Sequence, residues 1–137
     1  MDPRLLPAKW IGLISEKDRA ELGLKTAEEL MAKQIAKSER ELQNQIVQYA
    51  NLRGIEVIRN RMDKKSTANK GTPDLLMAVM SNGFSMPLAI ETKFGSGTCT
   101  REQNDMHARM QTRPNAWQVR VIRSFTEVVD LFRELGL

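Results

Sequence analysis

Gly71-Thr72-Pro73-Asp74-Leu75-Leu76-Met77-Ala78-Val79-Met80, a turn at Ser81-Asn82-Gly83, and Met86-Pro87-Leu88-Ala89-Ile90-Glu91-Thr92-Lys93-Phe94 form the stretch whose reading decides the fold. Two apolar runs joined by a Ser-Asn-Gly turn predict two neighbouring strands, over 73–80 and 86–94. The first run is so uniformly apolar that burial on both faces is expected. Charges inside such runs are costly unless they are paired or put to use. Asp74 opens the first strand, and Glu91 and Lys93 lie near the end of the second. Alternate strand residues share a face, so Glu91 and Lys93 point one way while Leu88, Ile90 and Thr92 point the other.

An aspartate and a glutamate brought side by side repel, and one of them gains a raised pKa unless a cation lies between them. Mg²⁺ favours a few carboxylate oxygens, with water and phosphate completing its shell, so Asp74 and Glu91 suit Mg²⁺ or Mn²⁺. Lys93 on the same face could orient or help deprotonate an attacking water, or stabilise charge growing on a phosphate. The plainer alternative is a salt bridge between Lys93 and either carboxylate.

Outward from this pair, the chain is punctuated by helix caps. Thr26 with Glu29, Ser38 with Glu41, Thr100 with Gln103 and Ser124 with Glu127 each have capping-box spacing. Ser38 either restarts a helix or lies within a longer one. After it, Leu42, Ile46, Tyr49, Ala50 and Arg53 recur at helical spacing, and Gly54 ends the run. Residues 55–59 read as a strand, 60–72 as a polar, basic loop, 100–112 as a helix, 116–123 as a strand and 124–135 as a last helix. Met77, Met80, Phe94, Trp117, Phe125 and Phe132 read as core. The resulting order is helix, three strands, helix, strand, helix: an α/β layer with a small mixed sheet. Residues 1–30 read as an N-terminal helical extension for packing or dimerisation, with Trp10 on a candidate dimer surface, and 31–137 as the main domain.

The 137 residues suffice for one domain with a real core. A hydrophobic share of 41% beside 28% charged residues points away from disorder. The longest uncharged stretch, 75–90, is interrupted by Ser81, Asn82, Gly83, Ser85 and Pro87, so no membrane span is expected. No compact apolar signal segment is read at the N-terminus, and a cytoplasmic location is expected. One cysteine, Cys99, allows no intrachain disulfide, and a single histidine leaves a Cys/His zinc site short of ligands. Net charge is +4. Arg59, Arg61, Lys64, Lys65 and Lys70 against Asp63 concentrate that excess just before Asp74. Such a segment is either a solvated loop or a phosphate-contacting one. Lys70, immediately before the Gly-Thr-Pro turn, is a better phosphate-contact candidate than His107. Arg101 and Arg109 could extend a basic face along the helix over 100–112; His107, four residues after Gln103, shares that helix face and is either a surface or core residue or one turned toward a bound polyanion.

Gly71-Thr72-Pro73-Asp74-Leu75-Leu76, then Ala89-Ile90-Glu91-Thr92-Lys93, then Gln103, in this order of elements, resembles the PD-(D/E)xK nuclease superfamily. More narrowly it is similar to the virus-type replication-repair nuclease (VRR-NUC) family, over about residues 38–125. The resemblance implies a restriction-endonuclease-like core. It implies Asp74, Glu91 and the Thr92 carbonyl as ligands of Mg²⁺ or Mn²⁺, Lys93 as the catalytic lysine, and Gln103 as a residue that supports the site or contacts DNA. A glutamate on the first helix, ligating through water, is also implied. Glu39, on the core-facing stripe, is preferred to Glu41, the expected cap partner of Ser38. Gln103 has its own alternative as the cap partner of Thr100.

The activity so implied is metal-dependent hydrolysis of phosphodiester bonds in branched DNA, leaving 5′-phosphate and 3′-hydroxyl ends. Cleavage of four-way (Holliday-type) junctions by a homodimer is the leading expectation. Two alternatives stay open: a nuclease acting on flap, nicked or linear duplex DNA, and a non-catalytic DNA-binding module on the same fold.

Overall fold

Residues 15–23, 25–60 and 70–137 are described in a computed structural model of the chain. Strands β2 (Leu75–Ser81) and β3 (Phe84–Thr92) pair antiparallel from Leu75↔Ile90 to Ser81↔Phe84. The two-residue loop between them is Asn82-Gly83, with φ of 51° and 86°. Two successive positive φ values are what a tight hairpin turn requires, and Asn-Gly supplies them at least cost. The loop is thus one residue shorter than the expected Ser81-Asn82-Gly83 turn, and β3 begins at Phe84.

Around this hairpin the described residues form five helices and one four-stranded sheet. The helices are α1 (Glu16–Leu22), α2 (Ala27–Met31), α3 (Glu39–Leu52), α4 (Arg101–Gln111) and α5 (Phe125–Glu134). Strands β1 (Ile58–Arg59) and β4 (Gln118–Ile122) complete the sheet in the order β1-β2-β3-β4. β1, β2 and β3 run antiparallel, and β4 lies parallel to β3. A parallel neighbour needs a crossover, and α4 provides it. The sheet is therefore mixed, and from α3 onward the elements follow the expected order. No helix among the described residues is long and apolar enough to cross a membrane.

Each expected cap forms. Thr26, Ser38, Thr100 and Ser124 accept hydrogen bonds from the backbone N–H of Glu29, Glu41, Gln103 and Glu127. Ser38 starts a new helix, separated from α2 by residues 32–37. Glu41 reaches back to the Lys37 N–H. α2 packs onto α3, burying Ala27 and Met31 in the main core. Tyr49 adds a polar tie, its hydroxyl donating to Glu28 at 2.6 Å while Arg53 donates to the same hydroxyl at 2.9 Å. Residues 1–14, with Trp10, lie outside the described residues.

The register sorts the sheet into two faces. Leu75, Met77, Val79, Leu88, Ile90 and Ile122 join Leu42, Ile46, Tyr49 and Ala50 of α3 and Val128, Leu131 and Phe132 of α5 in one apolar cluster. Tyr49 packs edge-on to Phe125 and tilted against Phe132, each at 5.2 Å between ring centroids. The opposite face carries Leu76, Ala78, Ala89, Glu91, Val119 and Val121, and α4 covers only its β3–β4 half.

This arrangement corrects three expectations. The first apolar run is not buried on both faces, because no helix among the described residues covers the far side of β2; Met80 is 61% exposed. Phe94, expected in the core, follows the end of β3 and is exposed. The strand expected over 55–59 shrinks to Ile58–Arg59, since the chain leaves α3 through Gly54 at φ 77° and meets β2 only at its last two residues.

Candidate active site

The polar cluster forms where β2 begins and β3 ends. Antiparallel register carries Leu75↔Ile90 one step on to Asp74 opposite Glu91. Pro73 is buried, and the residues before it turn through Gly71 at φ 88°. A β-carbon added to Gly71 would stand 2.3 Å from the Glu102 carbonyl oxygen. Only glycine lets the approach to β2 touch the first turn of α4.

Asp74 is anchored through one oxygen. Its Oδ2 accepts from the Thr92 backbone N–H at 2.9 Å and from the Thr92 hydroxyl at 2.8 Å. The same hydroxyl accepts from Gln43 Nε2 at 2.9 Å, and Gln43 Oε1 accepts from Arg59 at 3.4 Å. A chain of hydrogen bonds thus runs from β1 through α3 to Asp74. Asp74 Oδ1 makes no hydrogen bond among the described residues.

Glu91 is fully buried. Its Oε1 accepts from Gln103 Nε2 at 2.6 Å and lies 3.3 Å from Lys93 Nζ. Its Oε2 is buried with no hydrogen-bond partner. Burial, and secondarily the charge of Asp74, push the Glu91 carboxyl up to about 7, against the opposing pull of Lys93. Among the described residues, each carboxylate thus uses one oxygen to hold itself in place while the other makes no hydrogen bond.

Gln103 fills both of the roles weighed for it. Its Oε1 accepts from the Thr100 N–H at 2.8 Å, closing a capping box, while its Nε2 holds Glu91. A planar amide has an acceptor and donors on opposite sides, so one side chain serves both helix and site. Glu91 and Lys93 lie on one face, as alternation requires, and the salt bridge of the plainer reading exists between them.

Other expectations fare differently. His107 is not turned toward a ligand on the surface. It is 7% exposed beneath α4, with Nε2 buried, lacking a hydrogen bond, and 3.9 Å from Glu91 Oε2. The helix turns this residue inward because it lies one turn after Gln103 on the side facing β3. Burial, and then the charge of Lys93, lower its pKa, so the imidazole is neutral near pH 7. Glu39 lies in the first turn of α3 and makes no hydrogen bond or ion pair with Asp74, Glu91 or Lys93. Gln43, one turn further along the same stripe, is the α3 residue that reaches the cluster. Its signal was in the sequence: Gln43 is three residues before Ile46 and so faces the core, where an amide needs partners.

Lys70 pairs with Glu102 at 3.2 Å, and Arg101 is exposed beside Asp105. Arg59 is exposed at the rim while reaching Gln43. Arg61, Lys64 and Lys65 lie outside the described residues.

Among the described residues, no three histidine, cysteine, aspartate or glutamate side chains close into a metal cage. The donors present are two carboxylates with one uncommitted oxygen each, one of them a buried orphan. Such a pair fits an ion that retains water and substrate oxygens in much of its shell. Comparison of the chain with known protein families, with characterised proteins and with solved structures found no match.

Proposed function

We propose that this chain is a divalent-metal-dependent endodeoxyribonuclease with a restriction-endonuclease-like core of the VRR-NUC kind. The observation that carries this reading is Glu91. A fully buried carboxylate with one oxygen left bare, beside a second carboxylate and a lysine, is costly as pure scaffolding. It is understandable as a site kept ready for a cation.

When bound, Mg²⁺ or Mn²⁺ would lower the pKa of a water and offset charge on the scissile phosphate. Asp74 Oδ1, Glu91 Oε2 and the Thr92 carbonyl would hold it. Gln103 restrains the rotamer of Glu91, and Thr92 with Gln43 restrains that of Asp74, which limits the side-chain freedom lost on binding. Lys93 is available to orient the attacking water or stabilise the phosphorane-like charge. Arg59 and Lys70, with the basic residues between them in sequence, would bring the DNA backbone to this edge.

Branched DNA is the proposed substrate, cut by a homodimer whose two-fold axis would match the paired strands of a four-way junction. The test is to incubate the protein with a four-way junction, a flap and a linear duplex, each with Mg²⁺ or with EDTA. Metal-dependent nicking that is lost in Asp74→Ala supports the assignment. Binding with no cleavage under any metal would favour the non-catalytic DNA-binding module instead, and preferred cutting of flap or linear DNA would replace the junction substrate.

A further inference from the structure

Two buried polar atoms in the described structure face each other without partners: Glu91 Oε2 and His107 Nε2, 3.9 Å apart. Their side chains are 1% and 9% exposed, so neither is relieved by bulk water. Buried polar atoms are nearly always paired, and two orphans in one place point to a common missing partner. The gap is too wide for a direct hydrogen bond. It is the right width for a shared ion: two donors each about 2.1 Å from one metal stand roughly 3.0–4.2 Å apart, depending on the angle between them.

We infer that His107 Nε2 joins Glu91 Oε2 as an inner-sphere nitrogen ligand of the catalytic cation, the other protein donors closing around the pair only when the ion is bound. The inference rests on the metal-dependent reading above and goes beyond it, since that reading uses oxygen donors only. Gln103 and His107 are spaced i, i+4 on α4, so one helix face both secures one Glu91 oxygen and supplies a donor beside the other. Lys93 occupies the Oε1 side, which leaves the Oε2 side for the ion. An imidazole among carboxylates shifts preference from Mg²⁺ toward Mn²⁺ and Co²⁺.

His107 is the chain's single histidine, so untagged protein offers a clean spectroscopic test. Mn²⁺-loaded protein is examined by pulsed electron paramagnetic resonance for coupling to an imidazole ¹⁴N, with Mn²⁺ affinity measured in parallel by titration. Wild type should show the coupling. His107→Gln, which preserves bulk and polarity, should lose it and bind Mn²⁺ at least about tenfold more weakly. Mg²⁺ affinity should fall by a smaller factor. Mn²⁺ binding that Glu91→Gln abolishes, yet without ¹⁴N coupling in wild type, overturns the His107 assignment and leaves the nuclease reading standing. No Mn²⁺ binding at all overturns both. The wild-type spectrum decides the matter even if His107→Gln fails to fold.

Discussion

The two faces of the sheet are built from the same strands and obey different rules. Toward α3 and α5, β3 contributes Leu88 and Ile90 to a dry aliphatic and aromatic cluster. Toward α4, the same strand contributes Ala89 and Glu91, with Lys93 just beyond its end. There the carboxylate, the ammonium, an amide and an imidazole are packed with two polar atoms unpaired. One face maximises apolar burial. The other gives up some of that stability to hold reactive groups in fixed positions. Strand alternation lets a single nine-residue strand do both.

If this division holds, substitutions on the two faces should separate cleanly. The largest effect is expected for Asp74→Ala or Lys93→Ala: DNA cleavage down by at least about 10³-fold, or ~4 kcal/mol in transition-state stabilisation, with a smaller loss of melting temperature than Phe132→Ala causes. Steady-state nicking assays and calorimetry on the same preparations check it; a parallel collapse in melting temperature would break the comparison. Next, Phe132→Ala on the other face should cost about 3–5 kcal/mol of stability, read by urea unfolding, while a folded remainder cleaves normally. Retained stability would mean that the cluster under α3 and α5 is not the main core.

The third effect is a pH dependence. Unfolded, a glutamate releases its proton near 4.5; in the native chain Glu91 does so at about 7. Between these values the native state holds the extra proton, so raising the pH through this window favours unfolding. Metal-free protein should lose up to about 3 kcal/mol of stability from this group between pH 4.5 and 7. Glu91→Gln should flatten that slope, and an unchanged slope in denaturant titrations would assign it elsewhere. The smallest effect expected is for Gln103→Ala: ~1–2 kcal/mol of stability from the lost cap and hydrogen bond, and roughly tenfold weaker metal binding. A variant with normal metal affinity in calorimetric titration would reduce Gln103 to a helix cap.

Much of this is legible in the sequence. Side-chain alternation placed Glu91 with Lys93, hydroxyl-to-amide spacing located four helix starts, and Asn82-Gly83 marked the hairpin. What escaped depends on which element covers which surface. Met80 reads as core until the helices are found to leave its side of β2 bare. His107 reads equally as surface or core until α4 is set onto β3. Glu39 and Gln43 share a stripe, and periodicity alone does not say which turn of α3 lies beside Thr92. The two-residue length of β1 follows from where the exit of α3 meets its neighbour, a distance absent from the sequence 55–59.

The contact at Gly71 has a consequence for how such a chain can diverge. Backbone meets backbone there, with no side chain between that could shrink, swell or be exchanged. Upstream of this seam lies the basic segment, which on the proposed nuclease reading would meet the DNA backbone. At the seam itself drift is blocked, because any β-carbon would push the first turn of α4, and Gln103 with it, away from Glu91. If the chain is the nuclease proposed, binding and cleavage should separate at this one residue: exchanging 61–69 should alter what is bound, while replacing Gly71 should alter whether anything is cut.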